Sequence, residues 1–416
     1  MKILHVVASC DRAEGGVIEG VFKLGDTFRA MGHSQELLTL DLPGSPAVLE
    51  SPVPVHAMGS VQPGGSMPWA KLRRWARRSP KAVRWLQQYA ADYDAIVVDG
   101  LWNYATRGAR LGLAKQDVPY VVFPHGMLDP WFKARYPLKH FAKSLLWSFN
   151  EGPLLRQAEA VAFTSATERD LARETWSHWW APWRMREQLV GFGTSLPPSK
   201  TEKMAQAFRG AVPELAGRPY ILFLSRLHEK KGCEVLLNGY GAVADKVDFD
   251  LVMAGPGNPQ YARELQALAK ESGSEARIHF PGMLTGEAKW GALYGCEAMA
   301  LTSHQENFGV VVAESLGCGR PVIISDQVNI HQEVADAQAG LICADNQDGA
   351  AAALLAFSEL GTAERKVMGA RCKDLFEAKF DIAKTAALLA RIFEDASKLR
   401  TAASEVGKLD KTLSYK

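Results

Sequence analysis

The chain has 416 residues, of which 47% are hydrophobic and 23% are charged, and its formal net charge is +2. This length allows about two domains with separate cores, the composition is ordinary for a soluble globular protein, and a net charge so near zero indicates no class of partner. The six cysteines occur singly with no Cys-x-x-Cys pair, which argues against a zinc site or a redox dithiol.

The first half alternates short apolar runs with longer helical patterns. Its first residues, MKILHVVASCDRAEGG, lack the long apolar core of a signal peptide, and no run in the chain reaches the roughly 18 residues of a membrane span. We therefore expect a cytoplasmic protein, which could still lie on the inner face of the cytoplasmic membrane. The predicted strands are KILHVVA, SQELLTL, VPVHAM, YDAIVVD, PYVVFP, AVAFTS and EQLVGFG.

The second half repeats this alternation after a break over residues 194–203, TSLPPSKTEK. Continuous apolar runs of this length are typical of strands buried on both faces of a parallel sheet, and alternation with helices indicates βαβ units. The predicted strands are YILFLS, FDLVMAG, ARIHFPG, AMALTS, PVIIS and GLICAD. We predict an α/β protein with two Rossmann-like doubly wound domains over 1–195 and 196–380, a helix over 381–400 that could return to the first domain, and a polar, frayed tail over 401–416.

Several unusual residues directly follow predicted strands. Ligands of open α/β sheets bind beyond the carboxyl ends of the strands, so we expect these residues to line two sheet edges that face each other across one cleft. They are Gly15, Gly16, His125 and Gly126 in the first half, and Arg226, Gly255, Gly257, Leu284 and Glu306 in the second.

Two cations, Arg226 and Lys231, fall in a strand-to-helix loop of sequence SRLHEKKG. Positive charge beside the free N–H groups of a helix N-terminus forms an anion site, although a solvated charged turn explains either residue alone. The next loop, GPG, is not a dinucleotide fingerprint, because Gln260 stands where the last glycine of G-x-G-x-x-G would be.

The segment ENFGVVVAE places Glu306 on a loop and Glu314 one turn into a predicted helix. Amides near residues 308–310 would donate to a phosphate, and the carboxylates would accept hydrogen bonds from sugar and ribose hydroxyls on either side. Alternatively, one glutamate only complements the helix dipole and the other is an exposed loop residue.

The order of these motifs is more specific than any one of them. SRLHEKKG, AGPG, FPGML, ENFGVVVAE and GRPVI follow one another with strand-to-helix spacing. This pattern resembles the family 4 retaining, nucleotide-sugar-dependent glycosyltransferases with the GT-B fold. The resemblance is strong over residues 220–344 and looser in the first half, where PHGMLDPW is similar to bacterial members that build exopolysaccharide or lipopolysaccharide.

The resemblance implies a hexosyltransferase whose first domain binds the acceptor and whose second binds a UDP- or GDP-sugar. It implies catalytic roles for His125, Glu306, Arg226 and Lys231. His125 would lie at the reacting carbon, Glu306 would contact the donor sugar, and the two cations would neutralise the diphosphate. The implied donor-binding residues also include Gly15, Gly16, Gly255, Leu284, Asn307, Phe308, Gly309, Val310 and Glu314, with Glu314 at the ribose and the backbone near Leu284 at the base.

No metal or other cofactor is expected, because the cations and helix amides can stabilise the leaving diphosphate. The Asp-x-Asp pairs Asp92/Asp94 and Asp248/Asp250 precede apolar strands rather than follow them, and we interpret them as loop residues. The alternatives are a nucleotide-sugar epimerase or hydrolase of the same fold, and a non-catalytic nucleotide-sugar-binding subunit.

The first half is basic and rich in tryptophan. Residues 1–195 contain 23 Lys and Arg against 18 Asp and Glu, and residues 69–89 hold seven Lys and Arg, three Trp and no acid. This mixture suits the headgroups of an anionic membrane, and the growing saccharide of such enzymes is commonly linked to polyprenyl diphosphate. Solvated arginines and tryptophans packed in the core explain the same residues nearly as well as membrane binding does. No nucleic-acid-binding motif is present, so nucleic acid is not expected as a partner.

Overall fold

Two parallel sheets, one in each half of the chain, form the framework of the protein. The computed structural model describes residues 1–60, 79–131, 133, 137–177 and 182–413. The chain divides into a first unit, Met1–Phe192 with Ile382–Lys416, and a second unit, Gly193–Asp381. Each unit contains one sheet with helices, which confirms the predicted α/β fold class.

The sheet of the first unit has seven parallel strands in the order β3-β2-β1-β4-β5-β6-β7. The strands are β1 (Lys2–Val6), β2 (Ser34–Thr39), β3 (Val55–Ala57), β4 (Ala95–Asp99), β5 (Tyr120–Phe123), β6 (Ala160–Phe163) and β7 (Glu187–Leu189). The helices between them are α1 (Gly16–Ala30), α2 (Pro46–Leu49), α3 (Pro80–Tyr89), α4 (Tyr104–Leu113), α5 (Pro137–Leu146), α6 (Gly152–Gln157) and α7 (Ala166–Trp176).

Both faces of this sheet are buried, as continuous apolar strands require. Alternate residues point to opposite sides, so Leu4 and Val98 join one core while Ile3 and Val97 join the other. Helices α3 and α4 contribute to the first core, and α1 to the second.

The last helix, α16 (Ile382–Leu413), belongs to the first unit. Its residues Ile382, Ala386, Leu389 and Phe393 complete the core that contains Ile3. Arg400 of this helix bonds to Asp117 at 3.0 Å, and helical structure continues to Leu413, beyond residue 400 where the sequence analysis ended it.

The sheet of the second unit has six parallel strands in the order β10-β9-β8-β11-β12-β13. The strands are β8 (Tyr220–Leu224), β9 (Asp250–Ala254), β10 (Ile278–Gly282), β11 (Ala298–Leu301), β12 (Val322–Ser325) and β13 (Gly340–Cys343). The helices are α8 (Glu202–Ala211), α9 (Cys233–Gly241), α10 (Pro259–Glu271), α11 (Gly286–Gly295), α12 (Val310–Gly317), α13 (His331–Asp336), α14 (Gln347–Glu359) and α15 (Thr362–Leu375).

In each sheet the strand order reverses once. The reversal lies between β1 and β4 in the first unit, and between β8 and β11 in the second. Chain crossovers leave in opposite directions from such a pair, which opens a crevice beyond the strand ends where ligands of this fold class bind. The loops after these four strands are therefore the places to look for a site.

The basic, tryptophan-rich stretch over residues 69–89 is only partly covered by the structure. Arg73, Arg74, Arg77 and Arg78 lie outside the described residues. Within them, α3 begins at Pro80 with the Ser79 side chain as its cap, so the proline starts a helix. No helix in the described part of the chain is long and apolar enough to cross a membrane.

Candidate functional site

The loop after β8 carries the two predicted cations. Arg226 is exposed, and no other described residue forms a hydrogen bond or ion pair with its side chain. Lys231 lies on the single helical turn Glu229–Lys231, which Gly232 ends with φ +63°. A Cβ at Gly232 would lie 1.9 Å from the backbone oxygen of Thr302, so only glycine brings this loop against the end of β11.

Lys231 and Glu306 are joined by an ion pair between Nζ and Oε2 across the strand reversal of the second unit. Burial alone would raise the pKa of the Glu306 carboxyl, but the charge and hydrogen bond of Lys231 outweigh it and hold the pKa below its ordinary value. Two residues that the sequence analysis assigned separately, to diphosphate and to sugar, are thus in direct contact.

The segment around Glu306 is held by the loop after β12. The Glu306 N–H donates to the Gln327 carbonyl at 3.0 Å, and the Asn329 N–H donates to the Glu306 carbonyl at 2.9 Å. Asn329 also donates from Nδ2 to Oδ1 of Asn307 at 3.2 Å. Phe308 is buried edge-on against Phe380, with ring centroids 5.6 Å apart, so its side chain is structural and only its backbone can serve a ligand.

Helix α12 begins at Val310 after Gly309, whose φ is +70°. Among the described residues no side chain caps its first turn, so its leading amides point outward as donors. Glu314 is buried on this helix, and its carboxylate pairs with Nζ of Lys289 at 2.7 Å. The sequence analysis missed Lys289, which lies on α11 and is separated from Glu314 by a strand and a loop.

Gly255 and Leu284 have structural roles at the same sheet edge. Gly255 adopts φ +152°, and a Cβ there would lie 1.7 Å from the Ser225 carbonyl oxygen. This glycine therefore accommodates the neighbouring backbone, and its role in donor binding stays a prediction. Leu284 is buried in the core of the second unit, so its side chain is not available to a base.

In the first unit, His125 lies two residues after the end of β5 and has φ +50°, a backbone conformation that is uncommon for a residue other than glycine. Its ring stacks on Phe123 at 5.3 Å between centroids and meets Phe192 edge-on at 5.0 Å. Its Nε2 hydrogen-bonds to Oδ1 of Asp99 at 2.9 Å. Several contacts thus hold this residue in an uncommon backbone conformation near a strand end, which is typical of functional positions.

Asp99 bonds a second histidine. Its Oδ2 lies 2.8 Å from Nδ1 of His5, and all three side chains are buried. Burial would raise the pKa of the Asp99 carboxyl, but the charges and hydrogen bonds of His5 and His125 hold it well below its usual range. His5 lies on β1 and Asp99 ends β4, so this His–Asp–His group occupies the strand reversal of the first unit.

Glu168 supports the turn that presents His125. Its carboxylate accepts from the Gly126 N–H at 2.6 Å and from the Thr164 N–H and hydroxyl, each at 2.7 Å. The sequence analysis missed His5, Asp99 and Glu168. A histidine inside the apolar run KILHVVA and the capping-box pattern SATE were the available signals.

Gly15 and Gly16 lie where α1 begins. Gly15 has φ +116°, and nothing approaches within 4 Å of the place where its Cβ would be. Gly15 itself provides no side-chain cap for α1. An anion-binding role for this loop stays a prediction.

The Asp-x-Asp pairs differ from each other. Asp250 is the buried first residue of β9, bonded to Arg277 at 3.1 Å and to His279 and Arg218 at 2.8 Å, so its assignment to a loop was wrong. Asp94 precedes β4 and accepts the Lys2 N–H at 2.6 Å. These contacts give both carboxylates structural roles.

Comparison with known families gives two matches in the same order as the two units. The family model described as "Glycosyl transferase 4-like domain" matches residues 15–186. The model described as "Glycosyl transferases group 1" matches residues 205–374. Each match lies inside one unit.

Relatives of known name are also similar. A phosphatidyl-myo-inositol mannosyltransferase of Mycolicibacterium smegmatis is 28% identical over 357 residues, 83% of this chain and 81% of the relative. A D-inositol 3-phosphate glycosyltransferase of Xylanimonas cellulosilytica is 30% identical over 221 residues, and this match spans only 51% of the relative's length.

Solved structures share the fold over nearly the whole chain. HepE of Anabaena in complex with UDP and glucose has a TM-score of 0.72 at 18% identity, covering 95% of this chain and 100% of that one. Sucrose-phosphate synthase of Thermosynechococcus elongatus has a TM-score of 0.73 at 20% identity, covering 96% and 99%. At these identities the likeness concerns the fold alone.

Proposed function

The chain belongs to the family 4 glycosyltransferases with the GT-B fold, which are hexosyltransferases, and on that premise we propose that it moves a sugar from a UDP- or GDP-sugar to a saccharide acceptor with retention of configuration. The observation that carries the proposal is the Lys231–Glu306 pair at the strand reversal of the second unit. The loop that holds Lys231 also carries Arg226, and the segment that holds Glu306 leads into α12.

The diphosphate is the natural partner of these groups. A bound phosphate oxygen would compete with Glu306 for the Lys231 ammonium, and the freed carboxylate would accept hydrogen bonds from the donor sugar. Arg226 and the first amides of α12 would add positive potential as the sugar–phosphate bond breaks and charge builds on the leaving group. Glu314, which pairs with Lys289, would accept hydrogen bonds from ribose hydroxyls.

His125 is assigned to the donor sugar at the reacting carbon. Because its Nε2 is bonded to Asp99, Nδ1 is the nitrogen that faces other partners. Asp99 then acts as a positioning residue that sets the orientation and tautomer of the imidazole, while Glu168 holds the turn after it.

The acceptor is proposed to be lipid-linked and to serve cell-surface polysaccharide synthesis, with the saccharide on polyprenyl diphosphate. PHGMLDPW supports this assignment. The names of the relatives favour a second candidate, an inositol-bearing acceptor that is either the lipid phosphatidyl-myo-inositol or the soluble inositol phosphate. A lipid carrier would bring the first unit to an anionic membrane, where the basic residues over 69–89 would bind headgroups.

A thermal-shift screen against UDP, GDP and ADP tests donor binding, since a ligand at 100 times its dissociation constant adds about 2.7 kcal/mol of stability. Incubation of the preferred nucleotide-sugar with each acceptor then tests transfer. We expect an acceptor-dependent glycoside. Release of free or altered sugar without such a product would instead indicate the hydrolase or epimerase.

A further inference from the structure

Three large apolar side chains form an exposed stripe on one continuous helical segment of the first unit. The segment consists of α5, a π-helical stretch Trp147–Glu151, and α6. Phe141, Leu145 and Phe149 are 78%, 63% and 68% exposed. They are spaced four residues apart, so they lie along one side of the helix as a contiguous ridge.

The opposite side of the same segment packs into the core of the first unit. The stripe is therefore the outward side of the helix and not its core-facing side. Trp147 is fully buried, with its ring centroid 4.9 Å from that of Trp176. Asn150 accepts a hydrogen bond from Arg110 at 3.3 Å, and Glu151 is buried. The segment therefore has one face that belongs to the core and another that presents Phe and Leu outward.

Charge accompanies the stripe. Residues 131–150 contain four Lys and Arg and no Asp or Glu. Of these, Lys133 is exposed, and Lys143 lies over the Trp102 ring at 4.9 Å. Other strongly exposed apolar residues, such as Leu49 and Leu399, occur singly, which is normal for a protein surface.

We propose that the stripe of Phe141, Leu145 and Phe149 docks this enzyme on an anionic membrane. An exposed apolar ridge in an acid-free, basic segment is the pattern of a helix that lies in the headgroup region. The ridge would enter the acyl boundary while the exposed Lys133 remains among the phosphates. The purpose of docking rests on the lipid-linked acceptor proposed above, whereas the docking itself can be measured without nucleotide-sugar.

The test compares two triple variants by co-sedimentation with phosphatidylglycerol–phosphatidylcholine vesicles and with phosphatidylcholine alone. Phe141→Ser/Leu145→Ser/Phe149→Ser should bind anionic vesicles at least about tenfold more weakly than the wild type. Leu49→Ser/Val367→Ser/Leu399→Ser removes three apolar side chains that are also exposed, by 75%, 52% and 73%, and should bind normally. Binding of the wild type should weaken in salt.

A labelling experiment detects the contact directly. All six native cysteines are buried, so Phe149→Cys can be labelled selectively with a polarity-sensitive dye. Its emission should shift to the blue on anionic vesicles, while a dye at Leu49→Cys should not respond.

The proposal is overturned if the stripe variant binds vesicles as the wild type does, if both triple variants lose binding equally, or if the wild type ignores anionic vesicles. Dimerisation that the stripe variant abolishes, in the absence of vesicle binding, would assign the stripe to a second copy of the chain. Activity distinguishes this proposal from the function above: the stripe variant should retain transfer to a short-chain, water-soluble acceptor. If no acceptor is glycosylated but vesicles are bound, the proposed function fails and the docking surface stands.

Discussion

At the scale of single residues, the site is built from buried or partly buried carboxylates that each have a lysine or histidine partner. Glu306 pairs with Lys231, Glu314 with Lys289, and Asp99 with His5 and His125. A buried charge is tolerated only with such a partner, and removing one member leaves the other uncompensated. A ligand that displaces one member of such a pair would take its place beside the other member.

Glu314→Ala should weaken binding of the nucleoside diphosphate by about 1–3 kcal/mol, because a charged hydrogen-bond acceptor for the ribose is lost. Isothermal titration calorimetry measures this change. Glu271→Ala, at the exposed end of α10, is the matched control and should leave affinity unchanged. An unaltered affinity in Glu314→Ala would show that this glutamate does not contact the nucleotide.

Glu306→Ala should preserve or strengthen binding of the bare diphosphate, because Lys231 loses its competing carboxylate. The same variant should weaken binding of the intact nucleotide-sugar, by about 1–3 kcal/mol relative to the diphosphate. Calorimetry with both ligands gives the difference. Equal losses for the two ligands would mean that the roles of Glu306 and Glu314 have been assigned the wrong way round.

Asp99→Asn should lower kcat by about 10²-fold, because the imidazole of His125 loses its orienting carboxylate. The pKa of Asp99 is depressed in the folded protein, so its ionised form contributes stability above the unfolded value of about 3.9, and this is lost as pH falls below it. Urea unfolding between about pH 2 and pH 5 should therefore show a weaker pH dependence in the variant.

The exposed Asp94→Asn is the control for this substitution, since the Asp94 carboxylate accepts from the Lys2 N–H at the start of β1 and bonds to neither His5 nor His125. It should leave kcat unchanged. If Asp99→Asn also left kcat unchanged, the His–Asp–His group would be purely structural.

At the scale of elements, glycines set how closely loops approach. Gly232→Ala should destabilise the protein by more than about 1 kcal/mol, because alanine is strained at positive φ and its Cβ would collide with the Thr302 carbonyl. It should also weaken diphosphate binding by displacing Lys231. Denaturant unfolding and calorimetry measure the two effects.

The matched substitution is Gly210→Ala in α8, where nothing lies within 4 Å of the added methyl. It should be neutral or stabilise by up to about 1 kcal/mol. If the two alanine variants unfolded at the same denaturant concentration, the close approach at Gly232 would not contribute to the stability of the protein.

The strands could be predicted because their apolar runs are long enough to be buried on both faces, and all thirteen predicted strands are present. The helix after Glu306 was predictable from its glycines and apolar run. The partners of the charged residues were not, because Lys289, His5 and Asp99 reach the site only through sheet order and helix packing. For Asp250 the sequence showed position but not burial, and its three partners, Arg218, Arg277 and His279, come from other elements.

At the scale of the whole molecule, the proposed chemistry predicts that transfer needs no divalent metal. Arg226, Lys231 and the amides of α12 supply the positive potential that a metal ion provides in other transferases. Activity of the purified enzyme should therefore survive EDTA, within about twofold. Loss of activity on chelation, with recovery in magnesium or manganese, would contradict the proposal.

The return of α16 to the first unit has a consequence for biosynthesis. Seven strands of that unit leave the ribosome first, yet Ile382, Ala386, Leu389 and Phe393, which cover one face of their sheet, are translated after the whole second unit. The second unit is one uninterrupted segment whose ends meet where the Thr194 N–H bonds to the Phe380 carbonyl at 2.9 Å. The nascent chain can therefore complete its later unit before its earlier one. Until α16 is made, the part of the apolar sheet face that α1 does not cover is exposed to chaperones or to aggregation.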